Sequence, residues 1–105
     1  MFAICFDLMI DAIRAHYRGH ETQAYHDIRR VLESHKFKHM QGSLYFSRPN
    51  GTAVDVFMAI KDIQETYPWF NKVVRDLRMF RIEENNDLMP LIGQQSLFPK
   101  KAANE

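Results

Sequence analysis

A single cysteine, Cys5, stands among the 105 residues, so no disulfide forms within the chain and packing alone has to hold its fold. Set in an apolar run, that thiol reads as a small buried hydrophobe, and the lone cysteine fits a reducing, cytoplasmic setting. Glycine is scarce, with four in all, and none falls in a GxGxxG or GxxxxGK[ST] arrangement, which argues against nucleotide-dependent chemistry. Neither sign of charge dominates: 14 Lys and Arg face 13 Asp and Glu, a formal net charge of +1. Nothing in that balance asks for nucleic acid or a membrane, and an anionic ligand has to be met by local clustering.

Long hydrophobic runs are also missing. The opening MFAICFDLMI is broken by Asp7, no basic segment precedes it, and a bilayer span takes about 20 apolar residues. Neither a signal peptide nor a membrane helix is expected. A zinc site lacks its ligand set, because His16 and His20 are four apart with Gly19 between them, and no Glu or second thiol completes them. Imidazole does titrate near neutrality. Any of His16, His20, His26, His35 and His39 can therefore be a proton donor, and the sequence does not choose among them.

What the chain does have is hydrophobic bulk: 46% of residues are hydrophobic and 12% aromatic, enough for one core and too short for two. Phe2 to Phe6 read as a strand buried on both faces. Ala24, Ile28, Val31, Leu32 and His35 recur at helical spacing, predicting a helix over 21–35 with Thr22 as its N-cap. From Phe37 to Leu44 the residues alternate, and Gly42 divides two short strands or marks a bulge before the RPNG turn. Thr52 caps a second helix from Ala53 to about Glu65, which Pro68 stops. Trp69 and Phe70 close the end of the core, and Leu77 to Ile82 alternate charge and bulk as a last strand.

The order β, α, β, β, α, β predicts an α+β fold: an antiparallel sheet with two helices on one face and the first strand in the middle. Phe2, Ile4 and Phe6 would then face the helices, and Ala3, Cys5 and Asp7 the bare side. A second copy is the simplest cover for that side, so a sheet-mediated homodimer is expected. Residues 1–85 form the domain, and 86–105 read as a partly flexible tail, ordered only where Leu88 to Leu91 dock.

Asp7, directly after the first strand, is placed to act as a general base or to bind a divalent cation beside a phosphodiester. The plainer alternative makes it the N-cap of a short helix over 8–17. Ser43 and Tyr45 offer hydroxyls beside Gly42, where a backbone can approach closely, though turn chemistry explains them as well. Arg75, Arg78 and Arg81, with Lys72, concentrate positive charge that suits phosphate, partly neutralised by Asp76, Glu83 and Glu84. A solvated edge strand protected against aggregation would carry the same charges.

Taken in order, FDL at 6–8, AYHDIRRVLESHKF at 24–37, QGSLY at 41–45 and WFNKVVRDLRMFRIE at 69–83 resemble the virulence-associated protein D family across residues 1 to 84. That resemblance implies a dimeric ferredoxin-like βαββαβ fold, related to the small CRISPR-associated endoribonucleases. It also implies cleavage of single-stranded RNA or mRNA and, in some bacteria, the role of a toxin with a paired antitoxin, linked to virulence or persistence. It makes Asp7 the catalytic residue and places Gln41, Gly42, Ser43, Arg75, Asp76 and Arg78 as RNA-binding or site-lining residues. It assigns no cofactor, and Asp7 can alternatively hold a divalent cation such as Mg2+. The competing expectation is a non-catalytic dimeric module that binds nucleic acid or protein, since a fold does not guarantee chemistry.

Overall fold

The computed structural model describes residues 1–93. A four-stranded antiparallel sheet in the order β2-β3-β1-β4 carries helices in both crossovers. Strand β1 (Phe2–Leu8) leads through α1 (Ile10–His16) and α2 (Glu21–Ser34) to the hairpin of β2 (Lys38–Gln41) and β3 (Leu44–Phe46). Helices α3 (Ala53–Thr66) and α4 (Phe70–Val73) return the chain to β4 (Val74–Arg81), and α5 (Met89–Gly93) follows. The predicted α+β class and the central first strand are both present. The expected tail lies only in part within this region, and its residues 94–105 fall outside the described residues.

The alternation in β1 decides which side is core. Ile4, Phe6 and Leu8 are buried in one cluster with Ile13 of α1, Ile28 and Leu32 of α2, Ile63 of α3, and Phe70 and Val73 of α4. Helices therefore cover the even-numbered face. On the other face Asp7 is exposed, while Ala3 is buried between Phe46 and Phe80, its partners on the neighbouring strands.

Element boundaries differ from expectation in four places. His20, not Thr22, caps α2: its Nδ1 accepts from the Thr22 N–H at 3.1 Å. Imidazole can do what a Ser or Asp side chain does at an N-cap, because an unprotonated ring nitrogen is an acceptor. The first short helix begins at Ile10 with Met9 at its N-cap and no side-chain cap bond, so Asp7 does not cap it. Asp7 lies within β1, which runs on to Leu8, and β4 starts earlier than expected, at Val74. Thr52 does cap α3, in a reciprocal box with Asp55, satisfying two N–H groups that a helix start leaves free.

One end of β1 is clamped by Ser47. The Phe2 N–H donates to Ser47 Oγ at 2.9 Å and the Ser47 N–H to the Phe2 carbonyl at 2.8 Å, while the Ser47 hydroxyl donates to the Arg48 carbonyl at 2.9 Å. Gly51 packs against this clamp, where a Cβ would lie 2.7 Å from Ser47 Oγ and 3.0 Å from the Arg48 carbonyl oxygen. Gly51→Ala is therefore expected to cost about 1–3 kcal/mol through overpacking, read as a lower urea midpoint at unchanged slope.

Two surface carboxylates tie helices to their neighbours. The Thr52 N–H, then Arg48, hold the Asp55 carboxyl below the usual carboxylate range. His35 Nε2, 2.8 Å away, and then the Thr66 hydroxyl do the same for Asp62. A lowered folded-state pKa adds stability that is fully present above the ordinary carboxylate range and lost as pH falls through the folded value. Urea midpoints are expected to fall on acidification below that range, and the double variant Asp55→Asn, Asp62→Asn to flatten this acid limb.

Candidate active site

The end of β1, the start of β4 and the β2–β3 turn meet at one end of the sheet, because β1 is antiparallel to both its neighbours. Asp7, Gln41, Gly42, Ser43, Arg75, Asp76 and Arg78 lie toward that end, whereas Arg81 stands opposite Phe2 at the other end of β1 and Tyr45 is buried opposite Ile4. Asp7 stands directly opposite Asp76 in the β1–β4 ladder, and the next pair is Leu8 with Val74, so Arg75 is an extra residue with no partner. Such a bulge re-aims a side chain. By strict alternation Arg75 would project to the opposite face from Asp76. Instead its Nε lies 3.5 Å from Asp7 Oδ2.

Two like charges directly opposite each other repel, and here each carboxylate has its own guanidinium. Arg78 Nε donates to Asp76 Oδ2 at 2.9 Å, and that contact with Asp76 raises the Arg78 pKa above its ordinary value. A row of alternating charge results, Arg75–Asp7 beside Asp76–Arg78, exposed to solvent. Cys5 sits on the same face, partly exposed, between Leu44 and Arg78 in register. A phosphate entering here meets two guanidinium groups able to bind it through paired N–H bonds. Beside them are carboxylates able to accept a proton.

Gln41, Gly42 and Ser43 reach the same end of the sheet without bonding to Asp7 among the described residues. Gly42 takes a φ of +50° at the hairpin turn, a left-handed conformation that glycine adopts without strain. Its carbonyl accepts from His39 Nε2 at 2.8 Å, which rigidifies the turn. Ser43 is half-buried beside it. Gln41 lines a separate hollow of about 530 Å³, together with Leu44, Phe46 and the Asn85–Met89 segment.

Four participants escaped the reading of the sequence: Met9, Ile10, Asp11 and Tyr25. An open hollow of about 650 Å³ at the end of β1 is lined by Met9, Ile10 and Asp11 as well as by Asp7 and Arg75. Asp11 follows Asp7 by four residues, a spacing that carried no signal because the chain passes from strand to helix between them. Tyr25 of α2 stacks on Phe6 at 6.2 Å. Burial first, then the charges of Asp7 and Glu21, push its phenol above the usual range. Its place inside AYHDIRR was the only hint.

The packing around α1 keeps this end of the molecule in position. The Tyr17 hydroxyl donates to Asp27 Oδ2 at 2.7 Å, and its ring meets Trp69 edge-on at 4.8 Å. Desolvation and the Asp27 carboxylate push the Tyr17 pKa up to about 12. Helix α1 is thereby tied to both α2 and the α3–α4 connection. Among the described residues no group of three or more His, Cys, Asp and Glu gathers as a metal site, and no helix is long and apolar enough to cross a membrane.

No family model matches the chain. Curated relatives do. It is 38% identical over 94 residues to endoribonuclease VapD 2 of Riemerella anatipestifer, covering 89% of this chain and 100% of that protein. It is 39% identical over 92 residues to the endoribonuclease VapD homolog of Helicobacter pylori, covering 88% and 96%. With the Neisseria gonorrhoeae homolog of the same name, identity is 41% over 93 residues, covering 88% and 98%.

Proposed function

The chain belongs to the VapD family, and we propose that it is an endoribonuclease that cuts single-stranded RNA at the open end of β1, with Asp7 as the catalytic residue. Its relatives are named endoribonucleases over nearly their whole length. The observation that supports this site best is the bulge at Arg75, which sets a guanidinium against Asp7 and leaves Asp76 and Arg78 alongside.

In this reading the scissile phosphate displaces the carboxylates from Arg75 and Arg78, which hold its negative charge as it builds in the transition state. Freed from its ion pair, Asp7 takes the proton from the attacking hydroxyl as the bond from phosphorus to the leaving oxygen breaks, and that oxygen takes up a proton from solvent. Ser43 and the backbone at Gly42, with Gln41 nearby, contact the RNA strand as it passes the hairpin. A divalent cation such as Mg2+ would find hard carboxylate oxygens on Asp7 and Asp76 and would supply charge neutralisation at the phosphate.

The sheet order is that of a ferredoxin-like fold, and residues 1–85 are its domain, with 86–105 as an appended tail. Phe80 is half exposed on the bare face and Leu44 and Phe46 partly so. A second copy covering this face gives a homodimer that brings two Asp7 side chains together. The biological role is that of a cytoplasmic toxin restrained by an antitoxin protein. A partner of that kind fits the groove of about 450 Å³ between α3 and β4, where Phe57, Ile60, Leu77 and Met79 present apolar surface.

End-labelled single-stranded RNA incubated with the purified chain tests the assignment. Wild type is expected to cleave it and Asp7→Asn to lose at least about a hundredfold in rate, the scale of general-base catalysis, with the same elution volume on a sizing column. Loss of cleavage in EDTA would give the metal a part. Products ending in 2′,3′-cyclic phosphate would make the 2′-hydroxyl the nucleophile. Equal cleavage by wild type and Asp7→Asn would move the chemistry away from this carboxylate and favour a binding module.

A further inference from the structure

We propose that the hollow beyond Asp7 seats the nucleobase next to the scissile phosphate, and that Asp11 selects bases bearing an exocyclic amino group over uracil. The proposal rests on the endoribonuclease reading of Asp7 and adds the determinant of where the strand is cut.

The hollow has the size and lining that a base requires. Its volume, about 650 Å³, lies within the range of small-molecule sites, which are mostly apolar with few polar groups that fix orientation. Met9 is 38% exposed and Ile10 48% exposed, side by side on its wall, although large apolar side chains gain by burial. A methionine sulfur and its flexible stem make favourable contact with a flat aromatic ring. This shelf is anchored, because the Met9 N–H donates to the Val73 carbonyl at 2.8 Å and Ile13, one helical turn on, is buried in the core.

Asp11 supplies the polar group. Asp11 is among the residues lining the hollow, and its carboxylate, unlike those of Asp7, Asp27, Asp55, Asp62 and Asp76, has no ion-pair or hydrogen-bond partner among the described residues. An ionised carboxylate only accepts hydrogen bonds. Adenine, cytosine and guanine each offer it an amino group, whereas uracil presents two carbonyl oxygens around a single N–H. Bases in single-stranded RNA are read in this manner, splayed from the strand with their pairing edges exposed. Arg75, on the wall shared with Asp7, holds the phosphate of the same nucleotide, so the ring and the scissile bond are fixed together.

End-labelled oligouridylates carrying one adenine, cytosine or guanine, or none, provide the test with the full-length chain. Wild type is expected to cut beside the amino-bearing base at least about tenfold faster than in the all-uridine strand, the scale of a hydrogen bond to a charged acceptor. Asp11→Asn is expected to bring that ratio near one with its thermal unfolding midpoint unchanged. Met9→Ser is expected to raise KM for all four strands alike while keeping the ratio. Equal wild-type rates on all strands, or a full preference retained in Asp11→Asn, would overturn the selection and leave the ribonuclease reading intact. Unchanged KM in Met9→Ser would remove the shelf from the site. Should wild type cut nothing, the ribonuclease reading fails, and fluorescence anisotropy with the same strands decides separately. A binding preference for amino-bearing strands that Asp11→Asn abolishes supports the base site, and equal binding of all strands overturns it.

Discussion

Pairing of β1 with β3 on one edge and with β4 on the other assigns its even-numbered side chains to the core and its odd-numbered ones to the open face. A slip of one residue would exchange the two sets, burying Asp7 among Ile13, Leu32 and Phe70 and exposing Ile4 and Phe6. An unpaired carboxylate in such surroundings costs several kcal/mol. The hydrophobic pattern and the position of the acid therefore enforce the same register. Ser47 reinforces it at the start of the strand through both its backbone and its hydroxyl. At the far end, where the chain leaves β1 for α1, the Met9 N–H is held by the Val73 carbonyl.

From that register the site follows. Antiparallel pairing brings the end of β1, the start of β4 and the β2–β3 turn to one end of the sheet, so residues far apart in the chain become neighbours. The open face there is polar at its tip, where Asp7 and Asp76 alternate with Arg75 and Arg78, and apolar further back at Ala3, Phe46 and Phe80. Exposed ion pairs of this kind contribute little to stability. A ligand phosphate can separate them at small cost, which suits a place where charges must be exchanged during binding.

Much of this was legible in the residues, for local reasons. Helix α3 announces itself through the Thr52–Asp55 box, and α2 through a stripe of Ala24, Ile28, Val31 and Leu32, all buried. The position of Asp7 on the bare face came from counting along an apolar strand. Less local features stayed hidden. His20 rather than Thr22 caps α2, because capping depends on where the chain leaves Gly19, whose φ is +127°. The bulge at Arg75 depends on which residues of two distant segments align, and no pattern within either segment carries that information. Asp11 joins the hollow only because the strand ends at Leu8 and the helix begins two residues later.

The bulge also separates two demands that a regular ladder would couple. In an unbroken strand, changing the side chain aimed at Asp7 would mean changing a residue locked into the cross-strand packing, and inserting one would invert every position that follows. Arg75 stands outside the pairing, so its side chain can be exchanged while Leu77 and Met79 keep their places beside α3. Variation at this one position can tune the charge and reach of the site with the core left as it was, which gives the fold a place to adapt to new substrates without refolding around them.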